Sequence, residues 1–581
     1  MKKILFRSLI CMCLLPLMAA ERSIAEMKAI AAQQLMGAYV KSTGQGQAIQ
    51  LICVKEDPAF AIYSPDNGRG FVIVSRNDTE RPVLGYSTSE FNANNIPCCM
   101  RWWLQQTSSV LQARRLSHKA PAETPTFPIV APMVTTKWGQ SNYYNWHTPT
   151  FNDEHAPTGC VATAMAQILN YNRYPESAHF IGHYYTEKPN ADGSNIHSAD
   201  VNNQYHYPYE LAYGDYLPDG GDPDDPYQWK NGSEDGEAVS MLMRDCGYSV
   251  NMIYSARGSS ATAMDAATAF VENFNYPATA VNYYSKKDLF GMDTNLYTDE
   301  EWLQLVSSEL QKGFPILYGG EDSEIGGHAF ILHGMNEDGL VYVNWGWQGA
   351  YDGYYAIDIL SSDMGDFSAK AEMILGIHPQ ALEDDFVHSE FIAFEPYYFG
   401  WDTDKDHPLR LYMPAPFYCH MLNAFKGRFY IVYEDLTTGE VTYEDYWEKE
   451  VEYGPGQGWQ ISEGWGATPL APNHIYHLYM ASQTEGERGY SPIRLEGGAI
   501  YYTLTVDAEG VPFISGPDYL YTGVKKVPVA MQKADASITH VYDMQGRLVH
   551  SAPTASFNLW DVPARGVLII KQGDSVRKVA R

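Results

Sequence analysis

Apolar positions recur along this chain with two periods, and the switches between them mark out its parts. Near the N-terminus Ile24, Met27, Ile30 and Ala31 have the spacing of one helix face. Phe60-Ala61-Ile62-Tyr63, Gly70-Phe71-Val72-Ile73-Val74-Ser75 and Val83-Leu84-Gly85-Tyr86-Ser87 predict strands, the first two turning around Pro65-Asp66-Asn67-Gly68. Trp102-Trp103-Leu104 closes this unit on a helix. Residues 113–129 carry Arg114-Arg115, Lys119 and three prolines without periodicity, which is linker composition and a setting for a processing site.

The middle of the chain changes character twice. From Cys160 onward Ala162, Ala164, Ala166 and Gln167 favour helix, with Val161, Met165, Ile168 and Leu169 on a shared face. A second helix is predicted over Ala238–Arg244, with Cys246 buried at its end before Gly247. Thr298 and Glu301 make a capping box for Trp302 through Leu310, and Gly313 stands just past the end. Ile316-Leu317-Tyr318, Ala329-Phe330-Ile331-Leu332 and Val341-Tyr342-Val343-Asn344-Trp345 then read as strands, the last two joined by the turn Asn336-Glu337-Asp338-Gly339. This gives a helical half and a β half. Residues 385–525 hold alternating aromatic strands such as Phe429–Tyr433 and Ile500–Val506, which predict an all-β sandwich. Val541–Val549 and Gly566–Lys571 add a last small β-module before a basic end. The fold class is therefore α+β with all-β sandwich-like domains behind it.

Composition sets limits on this picture. At 581 residues the chain holds three or four domains. Lys plus Arg number 40 against 70 Asp plus Glu, a formal charge of −30, which argues against nucleic-acid or anionic-lipid partners. Lys2, Lys3 and Arg7, the apolar run Leu9–Met18 and Ala19-Ala20 have the form of a signal peptide, too short to span a bilayer. Ile10 and Met12 precede Cys11 and Cys13 where a lipidation site needs a small residue. The other cysteines, Cys53, Cys98, Cys99, Cys160, Cys246 and Cys419, show neither metal spacing nor a disulfide framework. Asp215, Asp219, Asp222, Asp224 and Asp225 lack an EF-hand offset and read as a solvated acidic loop within 205–237. No cofactor or metal is expected.

Chemistry concentrates around Cys160. A thiol in the first turn of a helix meets the positive end of the macrodipole, which favours the nucleophilic thiolate. Acyl transfer by cysteine also needs a base, an oxyanion donor and a group to orient the imidazole. His328, Gln140 and Asn344 supply those types, and Trp345 stands ready to shield the pair from water. His333 reads as a structural histidine. The chain lacks a Gly-x-Ser-x-Gly elbow and a His-Glu-x-x-His motif, so serine hydrolase and zinc protease chemistry have no support.

Trp138-Gly139-Gln140, Pro157 through Gln167, Gly326-Gly327-His328-Ala329-Phe330 and Asn344 through Gly349 together resemble the motifs of streptopain-type cysteine peptidases. The resemblance runs from about residue 130 to about 380. It implies a papain-like domain with Cys160 as nucleophile, His328 as general base and acid, Gln140 as oxyanion donor, and Asn344 and Trp345 as the orienting and shielding pair. Protein or peptide substrates follow from it. The Gly-Phe-Val-Ile-Val-Ser and Leu-Gly-Tyr-Ser blocks resemble the inhibitory prodomain of such enzymes, making the chain a zymogen that carries its own inhibitor. The C-terminal module resembles sorting domains handled by the type IX secretion machinery. The expected organisation is a signal peptide (1–20), prodomain (21–112), linker (113–129), peptidase (130–380), accessory sandwich (385–525) and sorting domain (533–581), on a secreted or cell-surface protein. Competing readings are a cysteine acyltransferase or amidase, such as a transglutaminase or peptidoglycan amidase, and an adhesin that merely contains a papain-like domain.

Overall fold

The computed structural model describes residues 21–43, 50–66, 68–117, 127–188, 193–207, 234–287, 296–321, 327–357 and 370–382. Further on it describes 389–401, 409–421, 424–445, 450–459, 464–466, 470–485, 487, 489–495, 498–520, 538–542, 548–553, 567–572 and 575–580. The expected signal peptide and the acidic run 215–225 lie outside the described residues. The chain divides into two units: 1–129 with 335–345 and 349–367, and 130–334 with 346–348 and 368–581.

The first unit is a sheet with two helices, α1 (Ile24–Thr43) and α2 (Cys98–Ser117). A reciprocal cap starts α1: Ser23 N–H donates to Glu26 Oε2 at 2.7 Å, and Glu26 N–H donates to Ser23 Oγ at 3.2 Å. Its buried stripe is Met27, Ala31 and Leu35, packed on Ala61, Tyr63, Val72 and Val74. Ile24, expected on that face, is exposed at the helix's first position. Strands β1 (Leu51–Glu56), β2 (Phe60–Pro65), β3 (Phe71–Ser75) and β4 (Val83–Ser87) form an antiparallel meander. Every residue of β2 and β3 is buried.

The same sheet continues into residues far downstream, which no local pattern announced. β4 pairs with Gly353–Tyr355, which pairs with Val341–Asn344. The join is dressed with aromatics: Tyr86 stacks on Tyr354 at 5.2 Å, and Trp103 of α2 meets Tyr355 edge-on at 5.1 Å. The Trp103 Nε1–H also donates to Ala356 O at 3.3 Å. The turn expected at 336–339 is present, with Gly339 N–H donating to Asn336 O at 3.1 Å. One expectation needs correction. α2 runs to Ser117, so Arg114 and Arg115 are not linker residues but form its last turn. There they pair with Glu80 (3.4 Å) and Glu21 (2.7 Å), and their charge suits the negative end of the helix.

The second unit begins with the helical half: α3 (Cys160–Asn172), α4 (Glu234–Ser249), α5 (Ala263–Glu272) and α6 (Asp299–Gln311). α6 has its capping box as expected, with Glu301 N–H on Thr298 Oγ1 at 3.1 Å and Thr298 N–H on Glu301 Oε2 at 3.0 Å. α4 is longer than Ala238–Arg244, and Cys246 lies buried inside it. Gly247 does not stop the helix. Its bare Cα lets Tyr254 pack there, since a Cβ would fall on the Tyr254 hydroxyl. The hairpin Ser177–Thr186 with Ile196–Gln204, and Ile253–Tyr254 beside it, form a small three-stranded sheet absent from the sequence reading.

Strands His328–Met335, Ile316–Glu321, Lys370–Leu375 and Asn282–Ser285 follow one another in the β half. One core holds both halves, joining Val161, Met165, Ile168 and Leu169 of α3 to Leu317, Ala329, Ile331 and Ile374 of the sheet. Behind it stands the aromatic β region. A large sheet built on Phe425–Asp435, Ile475–Thr484 and Gly498–Val506 is accompanied by a three-stranded sheet of Tyr398–Trp401, Leu409–Tyr412 and Gly464–Gly466. Their side chains share one core, including Phe399, Leu411, Ile431, Leu478 and Tyr502. Four antiparallel strands within 538–580 complete the chain, the last, Ser575–Ala580, taking in the basic end that was not read as strand. Among the described residues no helix is long and apolar enough to cross a membrane.

Candidate active site

Cys160 opens α3, and the backbone before it is shaped for that purpose. Gly159 caps the helix at φ 89° and ψ 145°, a conformation L side chains rarely adopt. It also has no room for a side chain, because a Cβ would lie 2.7 Å from Met252 Cε. Thr163 holds the turn, with its N–H and hydroxyl both donating to Gly159 O at 3.0 and 2.9 Å. The Thr163 and Thr158 hydroxyls meet at 2.8 Å. Cys160 itself is partly buried against the core and in no disulfide.

The segment bearing Gln140 is tied to this helix at two points. Thr158 N–H donates to Gln140 O at 2.9 Å. The buried side chain of Gln167, two turns along α3, accepts from Thr136 Oγ1 at 2.9 Å and from Trp138 N–H at 3.2 Å. A glutamine in a run of small apolar residues was the available signal for this anchor. From sequence alone it is legible only as a helix former.

His328 begins its strand opposite Gly320, is largely buried, and has the Trp347 ring stacked 6.0 Å away. Trp347 belongs to Gly346–Gln348, which also touches the other side of the site. Gln348 N–H donates to Trp138 O at 3.4 Å, and Gly346 lies beside Thr163. This three-residue bridge links the α3 start, the Gln140 segment and His328, so Cys160, Gln140 and His328 gather in one unit. Asn344 and Trp345 lie in the other unit. Both are buried there, with Trp345 N–H on Asp352 Oδ1 (2.9 Å) and its Nε1–H on Tyr351 O (3.1 Å).

Cys53, Cys246, Cys419 and His333 are not equivalent to these groups. Burial pushes the Cys246 thiol well above the usual range and also raises Cys53 and Cys419, which favours the protonated form of each. His333 is buried, and its Nδ1 accepts from Val134 N–H at 3.2 Å. That bond needs a neutral ring, and burial holds the His333 pKa down to about 3. It is a structural residue of the strand.

Residues 138–355 match the Peptidase C10 family, and residues 22–110 match the Spi protease inhibitor family. Streptopain of Streptococcus pyogenes is 30% identical over 348 residues, which cover 55% of this chain and 80% of that protein. The chain belongs to the C10 peptidase family. It is a cysteine endopeptidase of papain-like α+β type with an inhibitor-like N-terminal domain. A thiol protease/hemagglutinin, PrtT, of Porphyromonas gingivalis is 27% identical over 363 residues, covering 57% of this chain and 38% of PrtT. A prointerpain A fragment from Prevotella intermedia is 33% identical, with 57% of this chain and all of the fragment covered, at a TM-score of 0.47.

Proposed function

We propose that Cys160 is the nucleophile of this endopeptidase and His328 its general base and acid. The observation that carries this reading is the bridge Gly346–Gln348, which connects the start of α3, the Gln140 segment and His328. In the reaction His328 takes the Cys160 thiol proton and the thiolate attacks the scissile carbonyl carbon. Gln140 donates to the developing oxyanion, and the N-terminal end of α3 adds its positive dipole. Collapse of this intermediate releases the amine, which takes its proton from the His328 imidazolium, and leaves an acyl-enzyme. Water, deprotonated by His328, then frees the acid. Asn344 and Trp345 take the orienting and shielding roles that the motif implies.

The same proposal covers the rest of the chain. Residues 1–20 direct export, 21–112 hold the enzyme latent, and 533–581 are read by the type IX secretion machinery, placing the protein outside the cell. With Arg114-Arg115 helical and paired, activation cleavage falls between Ser117 and the peptidase. Purified full-length protein assayed on casein with and without E-64 tests the central assignment. Cys160→Ala should abolish proteolysis and leave an unprocessed precursor, and His328→Ala should lower turnover about a thousandfold. Caseinolysis by Cys160→Ala at the wild-type rate would overturn it.

A further inference from the structure

The β region behind the peptidase meets it through a buried charged plug. Arg494 stands on a short strand, Arg494–Leu495, that pairs in parallel with Phe391–Ala393 and so sets Arg494 beside Glu390. Arg494 is 8% exposed and its side chain reaches out of its own sheet. Nη1 donates to Leu296 O at 2.8 Å, Nη2 faces Glu301 Oε1 at 3.5 Å, and Nε faces Glu390 Oε1 at 3.8 Å. The guanidinium carbon lies 4.0 Å over the Tyr297 ring, whose hydroxyl donates to Glu390 Oε1. His420 Nδ1 meets the other Glu390 oxygen at 2.7 Å. Leu296, Tyr297 and Glu301 belong to the peptidase; Glu390, His420 and Arg494 belong to the β region.

Two features make this more than a domain contact. Glu301 is the capping-box residue of α6, so one of its oxygens caps the helix while the other faces Arg494. A run of ring contacts also leads inward from the plug. Tyr297 meets Trp302 at 5.5 Å, Trp302 meets Tyr318 at 6.3 Å, Tyr318 meets Phe330 at 5.3 Å, and Phe330 meets His328 at 6.1 Å. The Trp302 Nε1–H donates to the Tyr318 hydroxyl at 3.0 Å, fixing the middle of the run. An apolar seam would hold two domains together as well. A guanidinium with two carboxylates, a carbonyl and a ring face around it also fixes their orientation, because few geometries satisfy them all.

We propose that the β region is a fixed part of the catalytic body, locked by Arg494, and that this lock positions α6 and the strand that begins at His328. The positioning half rests on His328 being the catalytic base; the locking half does not. Arg494 acts through other residues and is a positioning residue.

Differential scanning calorimetry and casein kinetics on the full-length protein and its Arg494→Ala variant test both halves. Removing the cation leaves buried carboxylates facing one another, so the melting temperature should fall by about 5 °C. The single transition should split in two. Turnover by activated enzyme should fall about tenfold at unchanged KM, with a displaced acid limb of the pH profile. Arg494→Lys should restore part of the melting temperature, whereas Lys426→Ala, on the exposed rim of the same region, should change neither. Wild-type melting and kinetics in Arg494→Ala would overturn the lock. A lowered melting temperature with untouched kinetics would overturn the positioning half. If Arg494→Ala fails to fold, hydrogen exchange on the wild type decides. Equal opening free energies for 299–311 and 475–484 support one body, and much earlier opening of 475–484 overturns it.

Discussion

The two walls of the candidate site are built in opposite ways. The Cys160 wall is local: Thr158, Gly159, Thr163 and Gln167 lie within a few residues of the nucleophile, and the Gln140 segment they hold comes shortly before. The His328 wall is assembled from distant pieces, with its strand paired to Ile316–Glu321 and its ring stacked on Trp347. A wall made of hydrogen bonds to fixed backbone atoms aims its groups sharply. One made of stacked rings and sheet register tolerates small shifts better, since hydrogen bonds weaken steeply as they bend whereas dispersion contacts are spread over many atoms. The nucleophile and the base themselves apart, single changes on the first wall should therefore cost more than changes of similar size on the second.

The sharpest break is Gln140→Ala. One oxyanion donor is worth about a hundredfold in turnover, and its backbone contact with Thr158 survives the change, so KM should hold nearly constant. Progress curves on a peptide substrate separate the two constants. A loss confined to KM would move Gln140 from the oxyanion to substrate binding. Trp347→Ala is the matching test on the other wall. A ring pair of this geometry contributes about 0.5–1.5 kcal/mol, so turnover should fall about three- to tenfold. If Trp347→Ala cost as much as Gln140→Ala, the walls would not differ in the way proposed.

The same contrast explains what the sequence disclosed. Cys160 with its helix, the Thr298–Glu301 box and the 336–339 turn were legible because each is fixed by neighbours in sequence. Gln167 is helical as expected, but its anchoring role was not visible, since its partners Thr136 and Trp138 lie a loop away. The pairing of β4 with Gly353–Tyr355 was not legible at all. Register between strands so far apart is set by burial of whole faces, and a one-dimensional pattern records the faces but not their partners. Arg494 failed to register for a related reason. A lone arginine in an aromatic β region reads as surface, and only the fold brings Glu301 and Glu390 to it.

The smallest effect near neutral pH is also the most specific to the His328 strand. His333 lies on that strand, buried, with Nδ1 accepting from Val134 N–H. Its folded pKa is depressed to about 3, against an unfolded value of about 6.5. Between those values the unfolded chain binds a proton that the folded chain refuses. The stability supplied by the neutral ring is therefore fully present above about pH 6.5 and is lost as pH falls toward 3, with a slope of up to about 1.4 kcal/mol per pH unit. Carboxylates elsewhere add their own slope in the same range, so the wild type alone does not isolate the His333 contribution. Urea midpoints from pH 7.5 to 4.5 for the Cys160→Ala precursor, with and without His333→Asn, do isolate it. The asparagine does not titrate, so its curve should be shallower by most of one proton, whatever its midpoint at pH 7.5. Parallel curves would mean that His333 takes up its proton in the folded protein, and the neutral acceptor assigned to Nδ1 would have to be withdrawn.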